Sequence, residues 1–103
     1  MKILTDYQGR QIRLTDERLA HILEHPEMAG MEIAIEQTLQ NPEVVRKSRT
    51  DETALLHYHY YTGTLVGDKW LCVVVKYTVE DAFVLTAYFT DKQKKGEQLW
   101  PQP

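Results

Sequence analysis

Past Asn41-Pro42 the apolar residues of this chain change from a spacing of about four to a spacing of two, and the extended segments that follow have very short connections. Four strand candidates result: Val44 to Arg49, Leu55 to Thr62, Lys69 to Thr78 and Ala82 to Thr90. They are joined by turn signals at Thr50-Asp51-Glu52, Gly63 to Asp68 and Glu80-Asp81. Parallel neighbours need crossovers of a dozen or more residues, so these strands are expected to form an antiparallel meander.

Ahead of the switch the pattern is helical. Thr15 has the side chain of a good N-cap, and Asp16 and Glu17 put acids in the first turn; Leu19, Ile22 and Leu23 then supply one apolar face. This helix should stop near His25, because Pro26 disfavours helical geometry at the residue before it. Met31, Ile35 and Leu39 define a second helix over Met31 to Gln40, set off from the first by Gly30. Lys2 to Leu4 and Gln11 to Leu14 flank a turn-like Asp6 to Arg10 and read as an N-terminal hairpin, a lid or edge element. Asp91 to Pro103 reads as a polar tail with Leu99-Trp100 as an anchor and Lys92, Lys94 and Lys95 in solvent. The expected architecture is α+β: two N-terminal helices packed on one face of a four-stranded antiparallel sheet, with an N-terminal hairpin.

A chain of 103 residues, 43% hydrophobic and 26% charged, has room for one core and so for a single domain over 1–103. No apolar run approaches the roughly 20 residues of a membrane span, and MKILTDYQGR carries charge where a secretory signal would be apolar. A cytoplasmic location without membrane attachment is the expectation. Cys72 is the only cysteine, and its setting in WLCVVVKY marks a structural thiol. The net charge of -3 argues against a general nucleic-acid coating protein. Charge is nevertheless uneven: residues 1–43 hold eight acids and four bases, whereas residues 44–103 hold seven acids and eight bases. An anion-binding surface therefore belongs to the second half, around Arg46, Lys47 and Arg49 or around Lys92, Lys94 and Lys95.

Alternation divides the strand residues into two sets. Leu56, Tyr58 and Tyr60, then Leu71, Val73, Val75 and Tyr77, then Phe83, Leu85, Ala87 and Phe89 should face the helices. The opposite set is His57, His59 and Tyr61, then Trp70, Cys72, Val74 and Lys76, then Val84, Thr86, Tyr88 and Thr90, a mixture suited to a lined groove. On the first strand, either Arg46 and Ser48 or Lys47 and Arg49 share the side of His59. Lys76 stands out, because a lysine in the middle of a sheet needs an open face or a partner.

The four histidines form two pairs, His21 with His25 and His57 with His59, spaced to share a helix face and a strand face respectively. Imidazoles titrate nearest neutrality, so with the neighbouring cations they suggest proton transfer on a phosphate. A zinc site built from the two pairs is the less favoured use, since Pro26 disturbs the first pair and neither Cys nor Asp/Glu completes an obvious ligand set. Taken singly, each of His57, His59, Tyr61 and Tyr88 is better read as a half-buried residue of good β-preference.

In order along the chain, RLTDERLAHILEHPEM, NPEVVRKSRTDE, LLHYHYY, WLCVVVKY and AFVLTAYFTDKQKKGEQLW resemble the motifs of a small bacterial and phage domain in the superfamily of barnase, EndoU, colicin and RelE-like nucleases. The resemblance implies a RelE/barnase-like fold and metal-independent RNA cleavage. It aligns His21 with the helix histidine of the pattern, Arg46 to Arg49 with its basic strand, Tyr58 with its tyrosine strand, and Thr86 and Tyr88 with its closing strand. Where relatives carry arginine in the tyrosine strand this chain has His57 and His59, which shifts phosphate holding toward Lys76 or Arg49.

The leading functional expectation is a ribonuclease in which the ribose 2'-hydroxyl attacks the adjacent phosphate, with no cofactor. His59 or His21 would be general base or acid, Arg49 and Lys76 would meet phosphate charge, and Thr86 and Tyr88 would position or stack a base. Arg46, Lys47, His57, Tyr58 and Tyr61 complete the expected RNA-binding set. Toxin-like activity with an antitoxin partner is the natural context. The competing expectation is a domain that has kept the fold and lost the chemistry, serving as a protein-binding or regulatory module. Convergence of His21, His59, Lys76 and Tyr88 on one pocket separates the two.

Overall fold

The computed structural model describes residues 1–102, and the elements run β1 (Lys2–Thr5), β2 (Gln11–Leu14), α1 (Asp16–Leu23), a 3-10 turn at Pro26–Met28, α2 (Glu32–Gln40), β3 (Val44–Lys47), β4 (Ala54–Thr64), β5 (Gly67–Tyr77), β6 (Ala82–Thr90) and β7 (Gln98–Trp100). Hydrogen bonding joins all seven strands into one sheet in the order β1-β2-β6-β5-β4-β3-β7, antiparallel throughout except for the parallel pair β2-β6.

This corrects the four-stranded antiparallel sheet expected from the sequence. The meander β3-β4-β5-β6 is present, but both pieces left outside it add strands to its edges. The N-terminal hairpin joins through β2, with Arg13 opposite Phe83, and the Arg13 guanidinium holds Asp81 by two bonds of 3.0 and 2.6 Å. The supposed tail turns back over the sheet and supplies β7, which pairs with β3. Membership of an edge strand rests on long-range pairing, which a three-residue segment such as Gln98–Trp100 cannot advertise by its own periodicity.

Helix placement follows the local signals closely. The Thr15 hydroxyl oxygen accepts from the Arg18 backbone N–H at 3.1 Å, and α1 ends at Leu23 ahead of an extended His25 (ψ 120°) that Pro26 enforces. The apolar residues Ile22, Met28, Ile35 and Leu39 are fully buried against Leu71, Val73 and Val75 of β5 and against Leu4, Ile12 and Leu14 of the hairpin. Burial of each such side chain contributes about 1.5–3 kcal/mol, so the hairpin is a wall of the core and not a detachable lid. No helix among the described residues is long and apolar enough to cross a membrane.

Two registers differ from the alternation read in the sequence. On β4, His57, His59 and Tyr61 pair with Val73, Leu71 and Lys69 and so face the helices, while Leu56, Tyr58 and Tyr60 face away beside Val74, Cys72 and Trp70. On β6 a register shift between Val74/Val75 and Thr86/Val84 leaves Leu85 as the extra residue, which sends Val84 into the helix-side core and Phe83 to the other face. Lys76, Thr86 and Tyr88 keep the open face they were expected to occupy.

Candidate anion-binding groove on the open sheet face

The face of the sheet turned away from the helices carries a second, smaller apolar cluster built on Leu56, Tyr58 and Cys72, with Val44, Trp70, Val74 and Tyr88 packed against it. Residues 91–97 cross it as a strap. Arg46 fastens the strap by donating from Nε to Gln93 Oε1 (2.9 Å) and from Nη1 to the Gly96 carbonyl (3.1 Å), and the Tyr58 hydroxyl oxygen accepts from the Lys94 backbone N–H (2.9 Å). At Gly96 a Cβ would lie 2.2 Å from the Lys47 carbonyl oxygen, so the strap seats against β3 only because that residue has no side chain.

Between the strap and the loop after β3 lies a groove of about 620 Å³. Its floor is Leu56, Val74, Leu85, Thr86 and Tyr88; Ser48 to Asp51 form one bank, and Lys94 and Lys95 form the other. Lys76 holds the first bank, donating from Nζ to Asp51 Oδ2 at 2.5 Å. Three cationic side chains, Arg49, Lys94 and Lys95, thus line the groove together with one carboxylate, Asp51, which Lys76 holds, in a chain whose net charge is -3. Among the described residues Arg49, Lys94 and Lys95 make no ion pair, so their field is directed at the groove and at solvent. The Lys94 ammonium lies 5.7 Å from the centre of the Tyr88 ring.

Hydrogen bonds from Lys76 and Thr53 hold the Asp51 carboxyl down to about 2, so it is ionised at any pH near neutrality. The phenols of Tyr58 and Tyr88 move the other way: burial beside the Cys72 thiol raises both, and they stay protonated. Burial pushes the Cys72 thiol itself up to about 11, consistent with a structural cysteine. The Tyr88 hydroxyl is buried without a hydrogen-bond partner among the described residues. Neither hydroxyl is open to the groove, which meets Tyr88 through its ring, and Asp51 is the groove's one anionic proton acceptor.

The histidines are not in this groove. His21 sits on α1, across the sheet, with its side chain 62% exposed and Nδ1 3.6 Å from Glu24 Oε2. His59 faces the helix side of β4, where its Nδ1 lies 3.0 Å from the Asn41 carbonyl. His57 is fully buried: Nδ1–H donates to the Val73 carbonyl at 3.2 Å, Nε2 lies 3.3 Å from the Tyr77 hydroxyl, and burial drives its pKa down to about 4. Tyr61 also faces the helices and donates to the Ala34 carbonyl (3.2 Å). The convergence of His21 and His59 with Lys76 and Tyr88 on which the histidine chemistry depended does not occur, because the β4 register turns the HxH pair inward and His21 lies exposed on α1. Of the expected site residues, Arg49, Thr86 and Tyr88 line the groove and Lys76 bounds it. Arg46 and Tyr58 lie on the same face but are committed to the strap, and Lys47 is paired with Glu97 at 3.6 Å.

Asp51, Lys94 and Lys95 are groove residues; the sequence places Asp51 in a turn, and gives the two lysines both as a solvated tail and as one of two alternative anion-binding clusters, apart from Arg49. Only the return of the strap brings the two lysines to the sheet, and nothing local in Lys92 to Gly96 announces that return. Among the described residues no three His, Cys, Asp or Glu side chains stand close enough to hold a metal ion. Compared with family models, with curated proteins and with solved structures, the chain matches none.

Proposed function

We propose that the chain binds single-stranded RNA in the open-face groove and cleaves it without a metal, by attack of a ribose 2'-hydroxyl on the adjacent phosphate. The observation that carries this reading is the presence of Arg49, Lys94 and Lys95 in one groove with the Lys76-bonded Asp51, over a floor that includes Tyr88. Cations without partners suit phosphates, an aromatic floor suits a base or ribose, and a lysine–aspartate pair supplies a donor and an acceptor of protons. The motif resemblance to metal-independent nucleases points the same way.

In the proposed step Asp51 takes the 2'-hydroxyl proton as the 2'-oxygen bonds to phosphorus. The bond from phosphorus to the 5'-oxygen breaks, and that oxygen takes a proton from Lys76. The products are a 2',3'-cyclic phosphate and a 5'-hydroxyl, and the proton on Asp51 returns to Lys76 across their hydrogen bond. In the free protein Lys76 keeps Asp51 a weak base. A phosphate held by Arg49 competes for the ammonium and so makes the carboxylate more basic at the moment it is needed. Such an enzyme would act in the cytoplasm, with a protein antitoxin over the groove if its role is toxin-like.

A second reading, a binding module without chemistry, is favoured by the absence of His21 and His59 from the groove, and by that same Lys76–Asp51 pair, which neutralises the two groups best placed to move a proton. One experiment separates them. Nuclease-free protein is titrated with a short single-stranded RNA over a range of salt and the RNA is then analysed for cyclic phosphate ends in EDTA. Salt-sensitive binding with cyclic ends supports the enzyme, salt-sensitive binding with intact RNA supports the module, and loss of salt-sensitive binding altogether removes the groove from both.

A further inference from the structure

We propose that Tyr60 and Trp70 form a base-stacking subsite on the far side of the strap from the groove, so that the ligand is a single strand of RNA that crosses the strap along the line of β4 and β5 with an unpaired base on this platform. The proposal rests on the RNA reading above and adds the direction and the minimum reach of the ligand.

The open face of the β4-β5 ladder is a row of residue pairs, Ala54 with Lys76, Leu56 with Val74, Tyr58 with Cys72 and Tyr60 with Trp70. Successive pairs on one face are separated by two residues, about 6.6–6.8 Å. The groove covers the first two positions of this row, at Ala54 and at Leu56 with Val74; Tyr58 and Cys72 are fully buried, with the strap bonded to the Tyr58 hydroxyl, and the fourth pair lies beyond them on the same line. Trp70 is held edge-on between two tyrosines, its ring centre 6.3 Å from Tyr58 (85° between planes) and 5.1 Å from Tyr60 (69°). Its orientation is fixed before any ligand arrives. Tyr60, by contrast, is 42% exposed, and its ring ends the row in solvent.

Charge decides which part of a nucleotide goes where. At the platform Glu43 Oε2 accepts from the Tyr60 backbone N–H and lies 3.7 Å from His59 Nδ1, while Asp91 occupies Lys69. Carboxylates flank this end and free cations flank the other, so a phosphate is repelled from the platform and a neutral ring is not. Every base has a face that stacks on an aromatic ring, so the platform requires an unpaired base but not a particular one.

The test uses the full chain carrying Trp100→Phe, so that Trp70 is the one remaining tryptophan, and probes of about five nucleotides. One probe is an adenylate RNA; the other has the same sugar-phosphate backbone with every base removed. The adenylate RNA is expected to quench Trp70 fluorescence and to bind about tenfold more tightly than the abasic strand. Tyr60→Ala should abolish that difference while leaving abasic binding and the salt slope unchanged, and Tyr60→Phe should restore it. Equal binding of the two strands, or an unaltered difference in Tyr60→Ala, overturns the subsite while leaving the groove reading intact. Arg49→Ala should weaken both strands alike; failure of either strand to bind wild-type protein overturns both readings. A change in Trp70 emission with protein concentration alone would assign the platform to a second copy of the chain and also overturn the proposal.

Discussion

The Tyr77 hydroxyl donates to Asp6 Oδ2 at 2.8 Å, deep under the N-terminal hairpin, and so bonds the turn of that hairpin to a central strand of the sheet. Asp6 is buried but fully engaged: Oδ1 accepts from the backbone N–H groups of Gln8 and Arg10 (2.9 Å each), and Oδ2 also accepts from Arg10 Nε at 3.1 Å. On the other side of the same hydroxyl stands His57 Nε2 at 3.3 Å, with the Tyr7 ring edge-on to the imidazole. A carboxylate, a phenol and an imidazole thus form one buried polar line.

That line makes stability depend on pH. His57 titrates at about 4 in the folded chain, against 6.5 for an ordinary histidine, because burial penalises its charged form. Below the ordinary value the unfolded chain takes up a proton that the folded chain refuses, so stability falls as the pH drops from about 6.5 to about 4 and is undisturbed by this group above that window. The loss amounts to about 3 kcal/mol, roughly 1.4 kcal/mol per pH unit at its steepest. Urea unfolding between pH 4 and pH 7 will show it, and His57→Gln should flatten the curve in that interval.

Asp51→Asn should move binding and cleavage in opposite directions. It removes the groove's carboxylate and frees Lys76 for phosphate, so RNA binds more tightly and the slope of log affinity against log salt steepens by about 0.7. Removal of the base should slow cleavage by about a hundredfold or more. Folding should barely respond, because the pair is partly exposed. Parallel binding and cleavage measurements on one preparation check both signs.

His21→Ala and His59→Ala should leave RNA binding and cleavage unchanged. Both imidazoles lie on the helix side of the sheet, and the exposed His21 should alter stability by about 0.5 kcal/mol or less. Cleavage should accordingly show no inflection near pH 6.5. A rate that fell about a hundredfold in either variant would put histidine back into the chemistry and take the reaction off the open face.

Gly96→Ala should cost about 1–3 kcal/mol, since a Cβ placed 2.2 Å from the Lys47 carbonyl forces strap and strand apart. Because Lys94 and Lys95 ride on that strap, RNA affinity should fall with it. Gly63→Ala is the control. Its φ of +66° makes the change cost about 1 kcal/mol, but no heavy atom lies within 4 Å and RNA affinity should hold.

Helix boundaries and the order of the central strands could be read from local signals, such as the Thr15 cap, the Pro26 stop and the short turns. Register on β4 could not. Leu55, His57, His59 and Tyr61 are as apolar and as bulky as Leu56, Tyr58 and Tyr60, and with both faces covered either phase satisfies burial. On β6 the extra residue Leu85 reverses the alternation within a single strand, and no glycine or proline marks it. Lys76 draws notice because a lysine inside an apolar strand is conspicuous, Arg49 because it belongs to a basic cluster, and Thr86 and Tyr88 through the motif resemblance. Asp51 was missed because aspartate is commonplace in turns, and Lys94 and Lys95, named as one of two candidate anion-binding clusters, could not be placed beside Arg49 because only tertiary pairing gathers them.

The Tyr7 ring lies 5.5 Å from that of Trp100, although the two residues stand on the hairpin at one edge of the sheet and on the strand at the other. During synthesis this contact must wait until 93 further residues have followed Tyr7 (100 − 7), and β3 has no outer neighbour until β7 emerges. Completion of the fold is therefore a late event on a growing chain. The same delay governs the strap, so a nascent chain has an unbanked sheet face and neither Lys94 nor Lys95 over it. Any activity of the groove would begin only after translation has passed the strap.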